Sequence, residues 1–405
     1  MSEVANIPQL RFSEFSGEWE EKKLGELCKF TQGVQIPFSE QLTKYKEGAI
    51  RYLYIRDFFT DDFPYYVKDQ YPNKVIHTDE IMMVNTGNTA GKAFMGATGV
   101  LSNNAFKVSF DKTKVSNIFL FQRITSDTIQ RRIKSFFNAG GQPHLGHKNI
   151  AIIPMGFASL KEQQKIAAFL TAVDNKIEQL SKKQALLGSW KKGLMQQIFS
   201  QAIRFKADDG SAFPVWEEKN IVELAKTSIG LVTSMTPYYV DKGVPLIRNN
   251  DIFQNKIRKE KLIRLDYEFD QLNKNRRLFT NDIVTVHTGN IGASAVIDEE
   301  LNGCQGFATL NTRIKNQNEI SSSFLCWYYN STRNIKYALS MATGDGRSNY
   351  NLKDFNKATI PVPSLPEQTK IAAFLTAADN KIEQVGKQFD ESKQFKKALL
   401  QQMFV

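Results

Sequence analysis

Between Ser159 and Phe199 the apolar residues Ile166, Leu170, Val173, Ile177, Leu180, Leu187, Leu194 and Ile198 fall on alternating steps of three and four, interrupted only by Gln184 and Lys191. The spacing returns 205 positions later with Ile371, Leu375, Ala378, Ile382, Val385, Phe389, Leu399 and Met403, interrupted by Ser392 and Lys396. A 3.5-residue period held this long predicts a coiled-coil seam. Ser159 with Glu162, and Ser364 with Glu367, have the spacing of a capping box, and Pro366 stands in a first turn, where its missing N–H costs nothing. Two helices buried in separate globular cores would show a similar stripe. Their length argues otherwise, since roughly 40 residues at about 1.5 Å each reach about 60 Å.

The two stretches are copies. SLKEQQKIAAFLTAVDNKIEQ and KKGLMQQIF recur as SLPEQTKIAAFLTAADNKIEQ and KKALLQQMF, and 25 of 41 aligned residues are identical. An internal repeat of this kind organises the rest of the reading. In residues 1–158 short apolar runs, Ile50 to Phe59, Glu80 to Val84 and Asn103 to Phe110, predict strands, whereas Ile118 to Phe137 is helix-like. Residues 201–363 share sparse landmarks with them. Leu10-Arg-Phe12 corresponds to Ile203-Arg-Phe205, Trp19-Glu-Glu-Lys22 to Trp216-Glu-Glu-Lys219, Ile55-Arg56 to Ile247-Arg248, and Thr86-Gly87-Asn88 to Thr288-Gly289-Asn290. Ile153-Pro154 and Ile360-Pro361 mark the joints into the helices.

The expected organisation is a domain at 1–158, a central helix at 159–200, a second domain at 201–363 and a C-terminal helix at 364–405. The second domain connects the end of one helix to the start of the other, so a parallel pair would force its connections back along about 60 Å. The expected fold class is therefore α+β: two similar mixed α/β domains at opposite ends of a long antiparallel two-helix coiled coil, with pseudo-two-fold symmetry.

Composition adds limits. The net charge of +11 is spread over all four segments, which contribute between +1 and +4 each, so no basic tail carries it. Cys28, Cys304 and Cys326 lack paired spacing, the opening MSEVANIPQLRF has no basic-then-apolar leader, and no apolar run spans a bilayer. Cytoplasmic residence is expected. Gly87-Asn-Thr-Ala-Gly91-Lys92 is one residue short of a phosphate-binding loop and reads better as a turn. His144 and His147 lack further ligands nearby, and no nucleophile triad, dinucleotide loop or Asp/Asn-Pro-Pro-Tyr/Phe stretch is visible. An enzyme is not expected.

Two divergent domains joined by near-identical helices opening SLxEQxKIAAFLTAxDNKIEQ resemble, over the whole chain, the specificity subunits of type I restriction–modification systems. The resemblance implies two target recognition domains and two spacer helices, without catalysis. It also implies double-stranded DNA, two methylation subunits and two restriction subunits as partners, and no membrane. No cofactor is expected on this chain; S-adenosylmethionine, ATP and Mg would sit on the partners. Two slightly basic domains on a stiff spacer suit two separated, unlike half-sites.

Candidate DNA contacts are the polar and basic side chains suited to base edges and phosphates. In the first domain they are Arg56, Thr86, Asn88, Lys92, Gln142, His144 and Lys148. In the second they are Arg248, Asn249, Asn250, Arg276, Arg277, Thr288, Asn290, Arg347, Asn349 and Tyr350. Thr-Gly-Asn is equally open to a structural turn. Core packing alone does not require the helix identities outside the seam. Glu162, Gln163, Lys165, Asp174, Asn175 and Lys176, with Glu367, Gln368, Lys370, Asp379, Asn380 and Lys381, are therefore read as two equivalent docking surfaces for one partner, recent duplication being the alternative.

Overall fold

The computed structural model describes residues 6–60, 62–137, 142–342 and 349–405. The chain divides into two compact units, Met1–Lys182 with Gly386–Val405, and Lys183–Val385. The long helices Leu160–Phe199 and Leu365–Gln402 are each shared between the units. In the first unit the early half of one helix meets the late half of the other, through a Lys396–Asp174 ion pair of 2.6 Å. In the second unit the roles are exchanged, and Lys191 pairs with Asp379. The pairing is antiparallel. Every predicted seam position is buried or half-buried, including the polar interruptions Gln184, Lys191, Ser392 and Lys396.

Each unit has the same internal plan. The Glu-Glu-Lys stretch of each repeat is a strand, Glu20–Lys23 or Glu217–Asn220, and it pairs antiparallel with the strand that leads into a long helix, Pro154–Phe157 or Thr359–Val362. One four-stranded sheet runs Cys28–Gln32, Ala105–Phe110, Ile81–Val84, Ala93–Phe94 in the first unit. Its counterpart runs Ala225–Ile229, Thr309–Ile314, Ile283–Val286, Ser294–Val296. A second sheet contains the parallel pair Ala49–Leu53 with Gly99–Leu101, matched by Val244–Arg248 with Gln305–Phe307.

The strand register corrects three expectations. Ile50 to Phe59 is not one strand: it ends at Leu53, and Ile55–Phe58 forms a 3-10 turn. Leu53 and Ile247 occupy the same place beside the parallel neighbours Leu101 and Gly306, so Arg248 matches Tyr54, and Arg56 matches Asn250. Pro154 faces Lys23 as Thr359 faces Asn220, so the two joint prolines are not equivalent.

The seam runs directly into the domain cores. In the first unit Trp19, Phe119, Ile166 and Leu170 form one buried cluster with Leu399, Met403 and Phe404. In the second, Trp216, Phe324, Ile371 and Leu375 cluster with Ile198 and Phe199. Burial pushes the thiols of Cys28 and Cys304 up to about 12, which keeps them protonated and inert at neutral pH.

A buried carboxylate ties each helix start to its domain. Glu162 accepts from Arg11 Nε at 2.7 Å and Nη2 at 2.8 Å, and from Trp19 Nε1 at 3.3 Å. Glu367 accepts from Arg204 Nε at 3.1 Å and Nη2 at 2.6 Å, and from Trp216 Nε1 at 3.0 Å. The expected capping boxes do not form for this reason. Glu162 N–H still reaches Ser159 Oγ at 3.4 Å, but both glutamate side chains point inward, and Ser364 Oγ is buried without a partner.

Removing the cation should strand a buried charge. Arg204→Ala is expected to destabilise the second unit by about 3–5 kcal/mol, seen as an earlier urea transition. Lys182→Ala, which removes an exposed pair with Glu178, should leave the transition unchanged.

Candidate nucleic-acid interface

Two loop clusters, one per unit, gather most of the candidate side chains. In the first unit Thr86-Gly87-Asn88 turns between Ile81–Val84 and Ala93–Phe94, with Gly87 at φ +92° and Gly91 at φ +85°. Only glycine takes this backbone without strain. The stretch is a hairpin turn and opens no helix, which removes the phosphate-loop reading. A second segment docks on it: Gly87 N–H donates to Pro143 O at 2.9 Å, Leu145 N–H to Asn85 O at 2.7 Å, and Thr86 Oγ1 lies 3.1 Å from His144 Nδ1. Gln142 Nε2 lies 4.0 Å from where a Gly87 Cβ would sit.

Thr86, Asn88, Gln142 and His144 therefore share one surface, with Asn88, Gln142 and His144 exposed. Lys148 is exposed on the following short helix, and Lys92 is exposed at the end of the hairpin turn. His147 is different: its ring packs on Phe106 and Phe30, and burial, with His144 nearby, holds its pKa below the usual value.

The second unit repeats the arrangement with other side chains. Thr288 bridges to Asn349 as Thr86 does to His144. Gly289 has φ +91°, and His287 Nδ1 lies 2.6 Å from Asn349 Oδ1. Asn290 and Asn349 are exposed. Arg347 lies outside the described residues.

Two of the expected DNA contacts, Tyr350 and Arg277, are corrected, while the remaining ones among the described residues keep some exposure. Tyr350 is 1% exposed, edge-on to Phe355, and belongs to the core. Arg277 is engaged by the buried Asp270, which also accepts from Gln305. Arg248 is held by Asp251 through Nε at 3.1 Å. Asn249 is half-buried, and Arg276 donates to the carbonyls of Ile229 and Gly230 while staying exposed. Arg56 and Asn250 are exposed.

One surface escaped the sequence reading. A cavity of about 760 Å³ in the second unit is lined by Arg248, Phe253, Lys256, Arg258 and Lys261, together with the acidic Asp251 and Glu260. The cation-rich run Lys256 to Lys261 was the available signal.

The helix candidates divide in two. Glu162, Gln163, Glu367 and Gln368 are buried, so they are not docking groups. Gln163 accepts from Ser116 N–H at 2.9 Å and donates to Lys114 O and Ala158 O; Gln368 does the same with Ser321, Glu319 and Pro363. Lys165 pairs with Glu14, and Lys370 with Asp208. Asp174 and Asp379 serve the seam lysines, and Gln122 also donates to Asp174 at 2.7 Å. Asn175, Lys176, Asn380 and Lys381 remain exposed. Among the described residues no group of three or more His, Cys, Asp or Glu is placed to hold a metal, and no helix is long and apolar enough to cross a membrane.

Comparison with known proteins gives a consistent result. The family model for the type I restriction modification DNA specificity domain matches twice, over residues 16–187 and 215–389. The type I restriction enzyme MjaVIII specificity subunit of Methanocaldococcus jannaschii is 25% identical over 399 residues, covering 95% of this chain and 91% of that protein. The EcoBI specificity subunit of Escherichia coli is 21% identical over 373 residues, covering 87% and 77%. Among solved structures, the S subunit of a type I restriction–modification system from M. genitalium superposes with a TM-score of 0.60 at 15% identity, covering 98% and 99%. A chain from a study of complex assembly and conformational transition in the type I system gives 0.58 at 17% identity, covering 94% and 96%.

Because the Tyr350 hydroxyl is buried without a partner, Tyr350→Phe should leave any DNA binding unchanged. Stability should stay equal or rise by up to about 1 kcal/mol. Weaker binding by this variant in a gel shift would return Tyr350 to the interface.

Proposed function

The chain belongs to the type I restriction–modification DNA specificity family, and on that premise we propose that it is the non-catalytic DNA-reading subunit of such a complex. It recognises an asymmetric bipartite target, one half-site per unit, and directs adenine methylation and restriction by partner subunits. The observation that carries this reading is the pair of loop clusters: one repeated framework presents Gln142 and His144 in the first unit and Asn349 in the second. A shared scaffold with unlike exposed polar tips suits two unlike sequences.

In this reading the chain works with two methylation subunits, which bind S-adenosylmethionine, and two restriction subunits, which use ATP and Mg. It binds none of these cofactors itself and acts in the cytoplasm. Asn175 and Lys176, with Asn380 and Lys381, offer the same exposed pair twice, which fits two copies of one partner. The paired helices set the gap between half-sites.

Co-expression with the methylation subunit, followed by mapping of modified adenines across a genome, should return one bipartite asymmetric motif. Methyl-donor binding or DNA cleavage by the isolated chain would overturn the non-catalytic assignment. Adding one helical turn within Leu160–Phe199 should lengthen the gap by about 5 Å, or one to two base pairs. An unchanged gap would remove the spacer role.

A further inference from the structure

We infer that Arg56 and Asn250 are equivalent base-reading side chains, one in each unit, and that they select guanine and adenine respectively. The inference rests on the DNA-reading function proposed above and assigns one base within each half-site.

The equivalence comes from the backbone. Leu53 and Ile247 hold the same register in matching strands, and each strand is followed by a 3-10 turn, Ile55–Phe58 or Asn249–Asp251. Each turn is closed by an aspartate at its third position. Asp57 Oδ2 accepts from Tyr54 N–H at 2.7 Å, and Asp251 Oδ2 accepts from Arg248 N–H at 3.0 Å. Arg56 and Asn250 both stand one residue before that aspartate, and both are exposed.

The turns also lie beside the Thr-Gly-Asn hairpins. Phe58 and Phe59 pack on Phe94, at the far end of the hairpin that Thr86 begins, with ring centroids 5.2 Å apart in both cases. In the second unit Asn255, four residues beyond its turn, donates its N–H to Ser294 O at 2.8 Å, on the matching hairpin.

Arg56 is held by aromatic rings and only loosely paired with a carboxylate. Its guanidinium lies 5.3 Å from the Tyr54 ring centroid and 5.1 Å from that of Tyr65, while its side chain stays 48% exposed. Among the described residues its ion pair with Asp57 is long, at 4.0 Å, and its one side-chain hydrogen bond, Nη2 to Phe63 O, is long at 3.4 Å. Arg248 and Arg277 contrast with it, since both hydrogen-bond directly to their aspartates, at 3.1 Å and 3.0 Å, where Arg56 does not. Two rings orient the planar fork and leave donors facing outward, which suits the O6 and N7 acceptors of guanine.

Asn250 makes no side-chain hydrogen bond among the described residues; its carbonyl accepts from Arg258 Nη2 at 3.0 Å, which fixes the turn. A carboxamide so placed can donate to N7 and accept from N6 of adenine. A phosphate is the same group in both half-sites and gives no reason for unlike side chains at equivalent positions. Arginine against asparagine on one scaffold instead matches two bases.

The test uses the full chain assembled with its methylation subunit, mapping modified sites for the unsubstituted protein, Arg56→Asn and Asn250→Arg. The unsubstituted motif should hold a guanine in one half-site and an adenine at the corresponding position of the other. Arg56→Asn should shift the guanine position towards adenine, and Asn250→Arg should shift the adenine position towards guanine, each by about tenfold or more. An unchanged motif in both variants overturns the inference but leaves the DNA-reading function standing. So does a uniform loss of binding by Arg56→Asn with a salt slope reduced by about one, the signature of a phosphate contact, when Asn250→Arg also fails to introduce guanine. Absence of any bipartite motif from the unsubstituted protein would instead remove the function itself.

Discussion

The fold depends on a carboxylate that never reaches solvent. Glu162 and Glu367, one turn into their helices, are 1% and 0% exposed, and each is gripped by an arginine fork and an indole N–H from the segment that leads into the first strand of its domain. An ion pair this deep gains little net stability over an apolar contact, because desolvation offsets most of the attraction. Its value lies in specificity. A helix slipped along its domain would part the carboxylate from its arginine, and the adjacent glutamine fastens three backbone groups of the domain in the same step.

The polar breaks in the heptad pattern follow the same logic. Lys191 and Lys396 occupy seam positions where an apolar residue would pack better, and each meets an aspartate of the opposing helix. A buried polar position costs stability and selects orientation and register. With Asp174 facing Lys396 and Asp379 facing Lys191, the same charge match appears in each unit. A parallel pair would lose both.

Much of this was legible in the sequence, because it rests on periodicity and repetition. The 3.5-residue stripe, the offset of 205 and the Trp-Glu-Glu-Lys and Thr-Gly-Asn landmarks all correspond to elements that carry equivalent contacts in both units. What was not legible was the use of individual side chains. The repeated Glu-Gln and Asp looked like a surface because identity beyond the seam had no visible cause; the ion-pair partners of Glu162 and Asp174 lie more than 100 residues away. Tyr350 and Arg277 have the right chemistry for DNA, and only the fold shows that one is core and the other is spent on Asp270. Short matches such as Ile-Arg and Ile-Pro slipped by two residues, since a pair of letters cannot fix a register that strand pairing does.

The first unit contains its own distant end. Leu399, Met403 and Phe404 belong to the same core as Trp19 and Phe119, whereas the second unit is one continuous stretch, Lys183–Val385. Domains usually mature in the order in which they leave the ribosome. Here the amino-terminal unit's core can be completed only after translation has passed Phe404, whereas every residue of the later unit is made before that point.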